Sequence, residues 1–433
     1  MQKLNHSCQK CIAECLYVHL SSSSTSSSGK APIILSSQVF ASADVAVLGG
    51  GIIGAAIARE LAVKGVDTVL IESGSPGSGT SGRCDGNVLV QTKQDELAIE
   101  LTRRSIDGYR RWQAELDFDL RLEQRGSLVF FTDDSQYDQA QQRLAWLQSA
   151  GVNAEYIDQA EVQRREPALT GALIGAIDCL DDCAVYPPAV VAGLVHDARR
   201  HGCRVLSGVH ATRLLVDQRT HVRGVETRQG VITARSVVNA MGVWAPELNT
   251  EGRVPLTVQP RQGVLLVTEA APGLVKRAVT EAVYMANRSS AGNGAESGIA
   301  FVAEPTYLGN ILLGSSRRFC GNDTGVDDEI FKAIVTRASR FMPALRDLHV
   351  IRSFAGLRPW TPDNKPIIGP SAEIPGYIVA TGHEGEGIGL APVTAEMVLA
   401  TVLGTQPPAL LSQALKEFGP DRLTQEAQAV RVS

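Results

Sequence analysis

The stretch DVAVLGGGIIGAAIARELAVKGVDTVLIES, residues 44–73, constrains the fold of this chain more than any other. It opens with a short apolar run of the kind that forms a buried parallel strand. A glycine-rich turn and a helical pattern follow, and the pattern ends at Gly65. A second apolar run then closes on Glu72. This strand–helix–strand unit predicts an α/β fold built on a parallel sheet.

Three glycines in the turn have the G-x-G-x-x-G spacing of a dinucleotide-binding site. Gly49 permits the tight turn, Gly51 lets the backbone approach a pyrophosphate, and Gly54 lets the helix pack close to the strand. Glu72 lies 21 residues after Gly51, where an acidic side chain accepts a hydrogen bond from a ribose hydroxyl. The alternative is a glycine-rich turn with a purely structural role. The predicted dinucleotide contacts in this unit are Gly49, Gly51, Ile52, Ile53, Gly54, Glu72 and Ser73.

The chain does not continue as a NAD-binding enzyme usually does, through a regular series of strands and helices. A long loop, SGSPGSGTSGRCDGNVL at 73–89, follows the first unit. The next signal of the same domain comes only at 203–248, where short strands and turns lead to VVNAMG. That last strand ends at Ala240, Met241 and Gly242, where the backbone is able to approach a ligand. The predicted nucleotide-binding fold is therefore discontinuous, with other segments inserted into it.

Five ordered motifs carry a family resemblance. Together they make the chain resemble the D-amino-acid oxidase superfamily of FAD-dependent oxidoreductases over residues 44–404. The pattern is closest to glycine oxidases, sarcosine oxidases and their dehydrogenase relatives. The motifs are GGGIIG at 49–54 with Glu72, GTSGR at 79–83, VVNAMGVW at 237–244, FAGLRPWTPDNKPIIG at 354–369 and GHEGEGIGLAP at 382–392.

The resemblance implies an α/β (α+β) fold: a discontinuous Rossmann-like FAD-binding domain with an inserted mixed-sheet substrate-binding domain. We expect the FAD-binding domain to comprise residues 41–100, 181–254 and 351–405. The substrate-binding domain would comprise 101–180 and 255–350, followed by a tail at 406–433.

A second glycine-rich turn, at 382–389, precedes a helix that we expect to start at Leu390, Ala391 and Pro392. In proteins of this pattern, that turn and its helix lie against the flavin ring. Reduction places negative charge near N1 and O2 of the ring, which a helix N-terminus and backbone amides stabilise. The other cofactor contacts that the resemblance implies are Thr80, Ser81, Gly82, Ala211, Ala240, Met241, Gly242, Trp244, Gly356, Arg358, Gly382, His383, Gly385, Gly387 and Ile388.

The resemblance also assigns the substrate side. It implies that Arg358, in the GLRP motif, holds the substrate carboxylate, and a planar guanidinium pairs with a carboxylate through two hydrogen bonds. A surface salt bridge is the alternative role for Arg358. His383 is the second candidate catalytic residue; with Glu384 it either touches substrate or a partner chain, or caps the turn. Tyr284 and Trp360 are candidate pocket walls or plain packing residues.

Two departures from the family pattern bear on the cofactor and the electron acceptor. Gly385 stands where glycine oxidases carry an arginine. The GHEGEGIGLAP form is instead similar to the catalytic B subunits of heteromeric dehydrogenases for opines, D-hydroxyproline or proline, and to hydrogen cyanide synthase subunits. This favours a partner subunit or a quinone over oxygen as the electron acceptor. No cysteine stands near Gly356 before the T-P-D sequence, where covalent-flavin sarcosine oxidases have one, so we expect non-covalent FAD.

The predicted reaction is oxidation of the C–N bond of an amino acid, imino acid or opine, with hydride transfer from Cα to flavin N5 and hydrolysis of the imine. Two alternatives stay open. One is a dehydrogenase of 2-hydroxy acids or glycerol phosphate, which would act on a C–O bond. The other is a non-catalytic electron-transfer flavoprotein subunit.

Composition argues against some other classes of protein, and it distinguishes the N-terminal residues from the rest of the chain. The formal net charge of −5 does not suggest a nucleic-acid-binding protein, and no metal site is expected. No run of 18 apolar residues predicts a transmembrane segment, so we expect a cytoplasmic protein, peripheral at a membrane only through a partner. Residues 1–40 are predicted to be a disordered low-complexity extension, and its Cys8, Cys11 and Cys15 lack a fourth local ligand for a metal or cluster.

Overall fold

The computed structural model describes residues 39–285 and 298–422. The predictions for the N-terminal extension, including those for Cys8, Cys11 and Cys15, lie outside these residues. The same is true of the last eleven residues of the predicted tail, 423–433.

The first sheet has eight strands, with a parallel centre. Its strands are β1 (Val39–Leu48), β2 (Thr68–Glu72), β8 (Arg204–Ser207), β9 (Ala211–Val216), β10 (Val222–Thr227), β11 (Gly230–Asn239), β17 (Ile367–Pro370) and β18 (Tyr377–Thr381). The order is β17-β18-β11-β1-β2-β8, and β10 with β9 extends from β11 as an antiparallel ribbon. Every pair from β18 to β8 is parallel. The carboxyl ends of β1, β2, β11 and β18 therefore meet at one edge of the sheet.

The second sheet is mixed and also has eight strands. They are β4 (Ser127–Phe131), β5 (Ala154–Asp158), β6 (Gly175–Cys179), β12 (Gln259–Thr268), β13 (Ala278–Glu281), β14 (Val302–Pro305), β15 (Ile311–Gly314) and β16 (Val350–Trp360). The order is β16-β12-β15-β14-β13-β4-β6-β5, with β13 and β4 parallel. Two short strands, β3 (Asn87–Val88) and β7 (Cys183–Ala184), form a separate ladder.

The helices pack against both sheets. They are α1 (Ile52–Val63), α2 (Glu96–Glu115), α3 (Tyr137–Ser149), α4 (Gln159–Arg165), α5 (Pro187–Arg200), α6 (Asp328–Phe341), α7 (Gly387–Leu403) and α8 (Ala409–Phe418). Helix α1 packs against α5 and α7, and α2 packs against α7. The buried faces of α1, α2, α3, α5, α7 and α8 share one apolar core with the first sheet. Those of α4 and α6 belong to a second core, with strands of the second sheet.

The predicted mixed α/β fold is confirmed, and β1, α1 and β2 follow the predicted strand–helix–strand unit. One segment lies in a different sheet from the one that the predicted domain division implies. Residues 351–405 were expected in the FAD-binding domain, yet β16 pairs with β12 along its whole length and belongs to the second sheet. A strand is placed by its ladder partner, and a single sequence does not show which partner that is. The domain division as a whole stays a prediction.

Helix α7 begins at Gly387, three residues before the predicted start, so Pro392 lies inside it. Proline has no N–H, so Pro392 cannot donate to the carbonyl of Ile388 one turn earlier. The Tyr109 hydroxyl donates to that carbonyl instead, at 2.6 Å. Gly108 makes room for this contact, because a Cβ at Gly108 would lie 2.5 Å from Pro392 Cβ. A tertiary hydrogen bond thus replaces the one that proline removes from the helix.

We expect Tyr109→Phe to lower the free energy of unfolding by about 1–3 kcal/mol, because it leaves the buried Ile388 carbonyl without a partner. In a Pro392→Ala background the penalty should shrink, since the amide of Ala at 392 is able to donate to Ile388 within the helix. Urea unfolding of the two single variants and the double variant measures this coupling. Equal penalties in both backgrounds would show that Tyr109 does not compensate for Pro392.

One helical stretch among the described residues, Glu384–Leu403, is long and apolar enough to cross a membrane by length and composition alone. Its most apolar window is 61% buried inside the protein. A core helix of a soluble protein passes the same test, so this stretch is weak evidence for a membrane span.

Candidate active site

A cavity of about 640 Å³ lies where the carboxyl ends of the first sheet's strands approach β12 and β16. It extends from Glu72 and Ser73, past the first glycine turn, to Arg358 and Gly385. Every predicted cofactor-binding residue lines this cavity except Gly54, Gly82 and Gly382. The structure therefore brings together both glycine-rich turns and the GLRP arginine in one site.

The first glycine turn has the geometry that a bound pyrophosphate requires. Gly49 adopts a φ of 97°, and a Cβ there would lie 2.5 Å from the carbonyl oxygen of Ala240. Gly51 is the N-cap of α1 and has no side chain to cap the helix, while Ser81 Oγ accepts from the Ile52 amide at 2.9 Å. The N-terminus of α1 thus presents backbone amides at the cavity, where an anion is stabilised.

Glu72 lies at the end of β2 and is held by backbone amides. Its carboxylate accepts from Gly50 N and from Gly74 N, both at 2.7 Å. These bonds fix the side chain at the cavity wall, beside the first glycine turn. A carboxylate at this position has the acceptor chemistry that a ribose diol needs.

The three predicted residues that do not line the cavity are all glycines at close approaches. A Cβ at Gly54 would overlap the carbonyl oxygen of Gly49, and one at Gly82 would overlap that of Gly77. Gly382 has a φ of 75°, and a Cβ there would lie 2.8 Å from Thr361 Cγ2. Their described environment supports a packing role, as predicted for Gly54.

The second glycine turn is tied to the second sheet by a buried ion pair. Glu384 has a φ of 47°, a left-handed conformation that is unfavourable for a residue with a side chain. Its carboxylate accepts from Arg261 Nη2 at 2.6 Å and from the Gly385 amide, and both charged side chains are buried. Arg261 stands directly opposite Arg358 in the β12–β16 ladder. The turn therefore keeps a strained backbone that Arg261 stabilises.

Arg358 lies across the surface of its own sheet. A Cβ at Gly263 would lie 2.5 Å from Arg358 Cζ, so the guanidinium occupies the space that this glycine leaves. Nη1 donates to the carbonyl of Ser316 at 3.1 Å, and Nε is 4.0 Å from Glu384 Oε1. The side chain is only 15% exposed and lines the cavity, so it does not form a surface salt bridge. Its geometry is that of a positioned cation with donors left for a ligand.

His383 also lines the cavity, but its described partner lies in α7. Its Nε2 is 3.1 Å from Thr394 Oγ1, and the residue is 4% exposed. Burial lowers the pKa of His383 to about 4, so the imidazole is neutral near pH 7. The contact with Thr394 favours the turn-capping alternative, and a catalytic role for His383 stays a prediction.

The neutral state of His383 makes stability depend on pH. Its pKa in the folded protein, about 4, lies below the ordinary value of 6.5, so only the unfolded chain takes up the proton between these values. Stability is therefore lost as pH falls from 6.5 toward 4. Between pH 7 and pH 5 we expect the wild type to lose about 2 kcal/mol more than His383→Gln. Urea unfolding at both pH values with FAD in fixed excess measures the difference, and parallel losses would contradict a buried neutral His383.

Several cavity residues escaped the sequence analysis. Asp85 lines the cavity, and its carboxyl interacts with that of Glu304, which accepts from the Gly86 amide at 3.1 Å. Burial raises the pKa of both Asp85 and Glu304. The sequence feature that indicates Asp85 as a cavity residue is its position in the glycine-rich loop, two residues after GTSGR. Of the candidate pocket walls, Tyr284 lines the cavity. Trp360 instead bonds Asn364 and packs on Phe319.

No group of three or more His, Cys, Asp or Glu side chains within 39–285 and 298–422 is arranged to hold a metal ion.

Comparison with known proteins identifies the group that shares this arrangement. The model of the DAO family, described as FAD dependent oxidoreductase, matches residues 44–401. The chain is 28% identical over 400 residues to hydrogen cyanide synthase subunit HcnC of Pseudomonas aeruginosa, which covers 82% of this chain and 91% of the relative. It is 27% identical over 362 residues to glycine oxidase of Geobacillus kaustophilus, with the same two coverages. The L-proline dehydrogenase structure from P. horikoshii superposes with a TM-score of 0.79 at 24% identity, covering 89% and 99% of the two chains. This last similarity concerns the fold alone.

Proposed function

Because the chain belongs to the DAO family of FAD-dependent oxidoreductases, we propose that it oxidises the C–N bond of an amino acid, imino acid or opine, using non-covalently bound FAD. The observation that carries the proposal is Arg358. This arginine lines the same cavity as both glycine turns, and its guanidinium is fixed over Gly263. A buried cation at that place recognises a carboxylate.

The residues of the cavity fit FAD. The α1 N-terminus and the close backbone approach at Gly51 suit its pyrophosphate, and the Glu72 carboxylate suits a ribose hydroxyl. The N-terminal end of α7 and the Gly385 turn supply amides beside the substrate end, where a flavin ring would gain negative charge. A covalent link is not needed for any of these contacts.

Arg358 would act by orientation. Two hydrogen bonds from one planar guanidinium fix both the position and the plane of a substrate carboxylate, and hence the direction of the neighbouring Cα. Ser316 and Gly263 hold the guanidinium in place, so little side-chain freedom remains to be lost on binding. When bound, FAD accepts the hydride that leaves Cα.

The steps at the substrate nitrogen need only solvent, and a separate electron acceptor must reoxidise the cofactor. The substrate amine must be neutral, so its proton goes to water before or during the loss of hydride. The resulting C=N bond adds water and breaks, which releases a 2-oxo acid and the amine.

The electron acceptor and the location of the protein are part of the same proposal. We favour a partner subunit or quinone over oxygen, because Gly385 replaces the arginine of the glycine oxidase pattern. One relative is itself described as a subunit of hydrogen cyanide synthase, which supports a multi-subunit assembly. The protein would then be cytoplasmic and peripheral at a membrane only through that partner.

The first experiment is an anaerobic absorbance scan of the purified flavoprotein. Glycine, sarcosine, L- and D-proline, D-hydroxyproline, octopine and nopaline test the C–N reaction, and 2-hydroxyglutarate tests the C–O alternative. Bleaching of the flavin band by an amine supports the proposal, and readmitted air then separates an oxidase from a dehydrogenase. Bleaching by the hydroxy acid alone, or purification without flavin, would overturn it.

A further inference from the structure

Asp85 lines the cavity, and its side chain has acceptor capacity that the described protein does not use. The residue is half-buried, and its Oδ1 accepts a long hydrogen bond, 3.3 Å from the Asn87 amide. Glu72 and Glu384 also line the cavity, but each is already held by at least two donors at shorter distances. A carboxylate accepts several hydrogen bonds, so Asp85 is able to bind a donor group of a ligand.

The loop that carries Asp85 is fixed on both sides of this residue. A Cβ at Gly356 would overlap the carbonyl oxygen of Arg83, so the loop backbone lies directly on strand β16. On the other side, the Gly86 amide donates to the carboxyl of Glu304 at 3.1 Å. The position of Asp85 is therefore set by the protein before any ligand binds, as a residue that orients a substrate requires.

Asp85 and Arg358 face the same cavity with opposite charges. Gly356 and Arg358 are two residues apart on β16 and so lie on the same face of the strand, which the Asp85 loop crosses. Within residues 39–285 and 298–422, the ion pair of Arg358 is with Glu384, at 4.0 Å, and Asp85 forms none. A cation and an anion that share a cavity without pairing match the two charged ends of an amino-acid zwitterion.

The surroundings of Asp85 suit a proton acceptor. Burial raises its pKa above the ordinary value of 3.8, Glu386 raises it further, and Arg358 opposes the rise. Burial and the nearby Asp85 also raise the pKa of Glu304, which does not line the cavity. Because Arg358 favours the negative charge on Asp85, Glu304 is the carboxyl of this pair that keeps its proton. The neighbouring Cys84 thiol stays protonated too, since burial raises its pKa.

We propose that Asp85 binds the ammonium group of the substrate and takes its proton, while Arg358 holds the carboxylate. This inference rests on the proposed function and adds a catalytic residue to that reaction. An N–H bond of the ammonium breaks, an O–H bond forms on Asp85, and the electron pair stays on nitrogen. That pair forms the C=N bond as the hydride leaves Cα for the flavin. Asp85 then passes the proton to water, so solvent remains its final destination and Asp85 is a fixed first acceptor.

Three unreactive probes isolate the contact with the ammonium. In 2-aminoisobutyrate, 2-hydroxyisobutyrate and pivalate, the carbon next to the carboxylate carries two methyl groups and no hydrogen. The third group on that carbon is an ammonium, a hydroxyl or a methyl. Each probe is titrated into the FAD-loaded full-length protein, and the shift of the flavin absorption band gives its dissociation constant.

We expect 2-aminoisobutyrate to bind about 10- to 100-fold more tightly than pivalate, the difference that one charge-assisted hydrogen bond supplies. The hydroxy acid should bind more nearly as pivalate does, because its hydroxyl carries no positive charge. A preference for 2-aminoisobutyrate below about threefold, or no binding of this probe, would overturn the inference.

Substitutions assign that preference to one side chain. In Asp85→Asn, which keeps the shape and removes the charge, the preference should fall close to one. In Asp85→Glu a part of it should return. Asp107→Asn is the matched control, because Asp107 is exposed on α2, outside the cavity, and pairs with Arg110. The control should keep the wild-type preference, and a wild-type preference in Asp85→Asn would overturn the assignment.

The pH dependence of flavin reduction separates a proton acceptor from a structural residue. In the wild type, the rate with the best amine should fall at low pH, with an apparent pKa above 3.8, because protonated Asp85 accepts no proton. In Asp85→Asn this decrease should disappear, and the rate should instead follow deprotonation of the substrate amine in solution. The variant should therefore be about 100- to 10,000-fold slower near pH 7 and should recover as pH rises. An unchanged profile, or an equal loss at every pH, would overturn the role of Asp85.

Glu304→Gln tests which carboxyl of the pair accepts the proton. Glutamine keeps an acceptor for the Gly86 amide, so the loop should stay in place. Since Glu304 is already neutral, the decrease in rate at low pH should persist in this variant. Loss of that decrease in Glu304→Gln but not in Asp85→Asn would make Glu304 the acceptor and overturn the proposal.

Failure of this inference is distinguishable from failure of the proposed function. If amines bleach the flavin equally in the wild type and in Asp85→Asn at every pH, the C–N reaction stands and Asp85 is not its proton acceptor. If 2-aminoisobutyrate binds through Asp85 but no amine bleaches the flavin, the ammonium contact stands and the reaction class is wrong.

Discussion

Arg358→Met is expected to lower kcat/KM for flavin reduction by roughly 100- to 10,000-fold, because it removes two charge-assisted hydrogen bonds to the substrate carboxylate. Arg358→Lys should lose less, roughly 10- to 100-fold, since an ammonium keeps the charge but not the fork of two parallel donors. Anaerobic stopped-flow reduction with the best amine from the first scan measures both. The loss should appear in substrate affinity as well as in the rate of reduction, because the arginine both binds and orients.

The same variants should fold and keep FAD. Glu384 retains its 2.6 Å partner Arg261 when Arg358 is replaced, so the second glycine turn stays in place. Arg352→Met is the matched control, because Arg352 lies on the same strand with an exposed side chain, outside the cavity. Its kinetics should equal those of the wild type. If Arg358→Met reacts within threefold of the wild type while still yellow, the carboxylate does not bind at Arg358.

Gly49→Ala is expected to yield a protein almost without FAD. The added methyl carbon would lie 2.5 Å from the Ala240 carbonyl oxygen, at a position whose φ of 97° is itself unfavourable for alanine. The turn and the end of β11 must therefore separate, and the backbone no longer follows the pyrophosphate. The dissociation constant for FAD, measured by titrating the flavin-free variant, should rise at least roughly tenfold, which corresponds to a loss of more than about 1.4 kcal/mol in binding.

The variant Gly65→Ala tests the effect of backbone strain without the steric overlap that an added Cβ causes at Gly49. Gly65 also has a positive φ, 75°, but a Cβ there meets no atom of the described chain within 4 Å. This control bears only the conformational penalty, about 1 kcal/mol, and should retain FAD. Equal flavin loss in both variants would mean that backbone strain alone, and not the contact with Ala240, governs cofactor binding.

The parts of the site that sequence reasoning predicted are those encoded by local spacing. The β1–α1–β2 unit and Glu72 follow from a turn, a helix and two short strands within thirty residues of chain, and each element constrains the next. The placement of Arg358 in the cavity followed from its motif. These features depend little on which distant strand becomes a neighbour.

The remaining features depend on pairing across the second sheet. Arg261 and Arg358 are 97 residues apart, and only the register of β12 against β16 sets them side by side with Glu384. The predicted start of α7 was three residues too late because it placed Pro392 in the first turn of the helix. Pro392 instead lies inside α7, where the Tyr109 hydroxyl of another helix supplies the hydrogen bond that proline lacks. Long-range register and tertiary compensation leave no local signal in a single sequence.

The close contact between Gly263 and the Arg358 guanidinium also affects how this protein can evolve. Any amino-acid replacement of a glycine adds at least one carbon, and at this position that carbon would displace the Arg358 guanidinium. The glycine turns and the Arg261–Glu384 pair lie elsewhere and would persist. One codon change could therefore erase recognition of the carboxylate while leaving a folded, flavin-carrying protein. A duplicated gene would in this way begin its divergence toward new substrates from an intact scaffold.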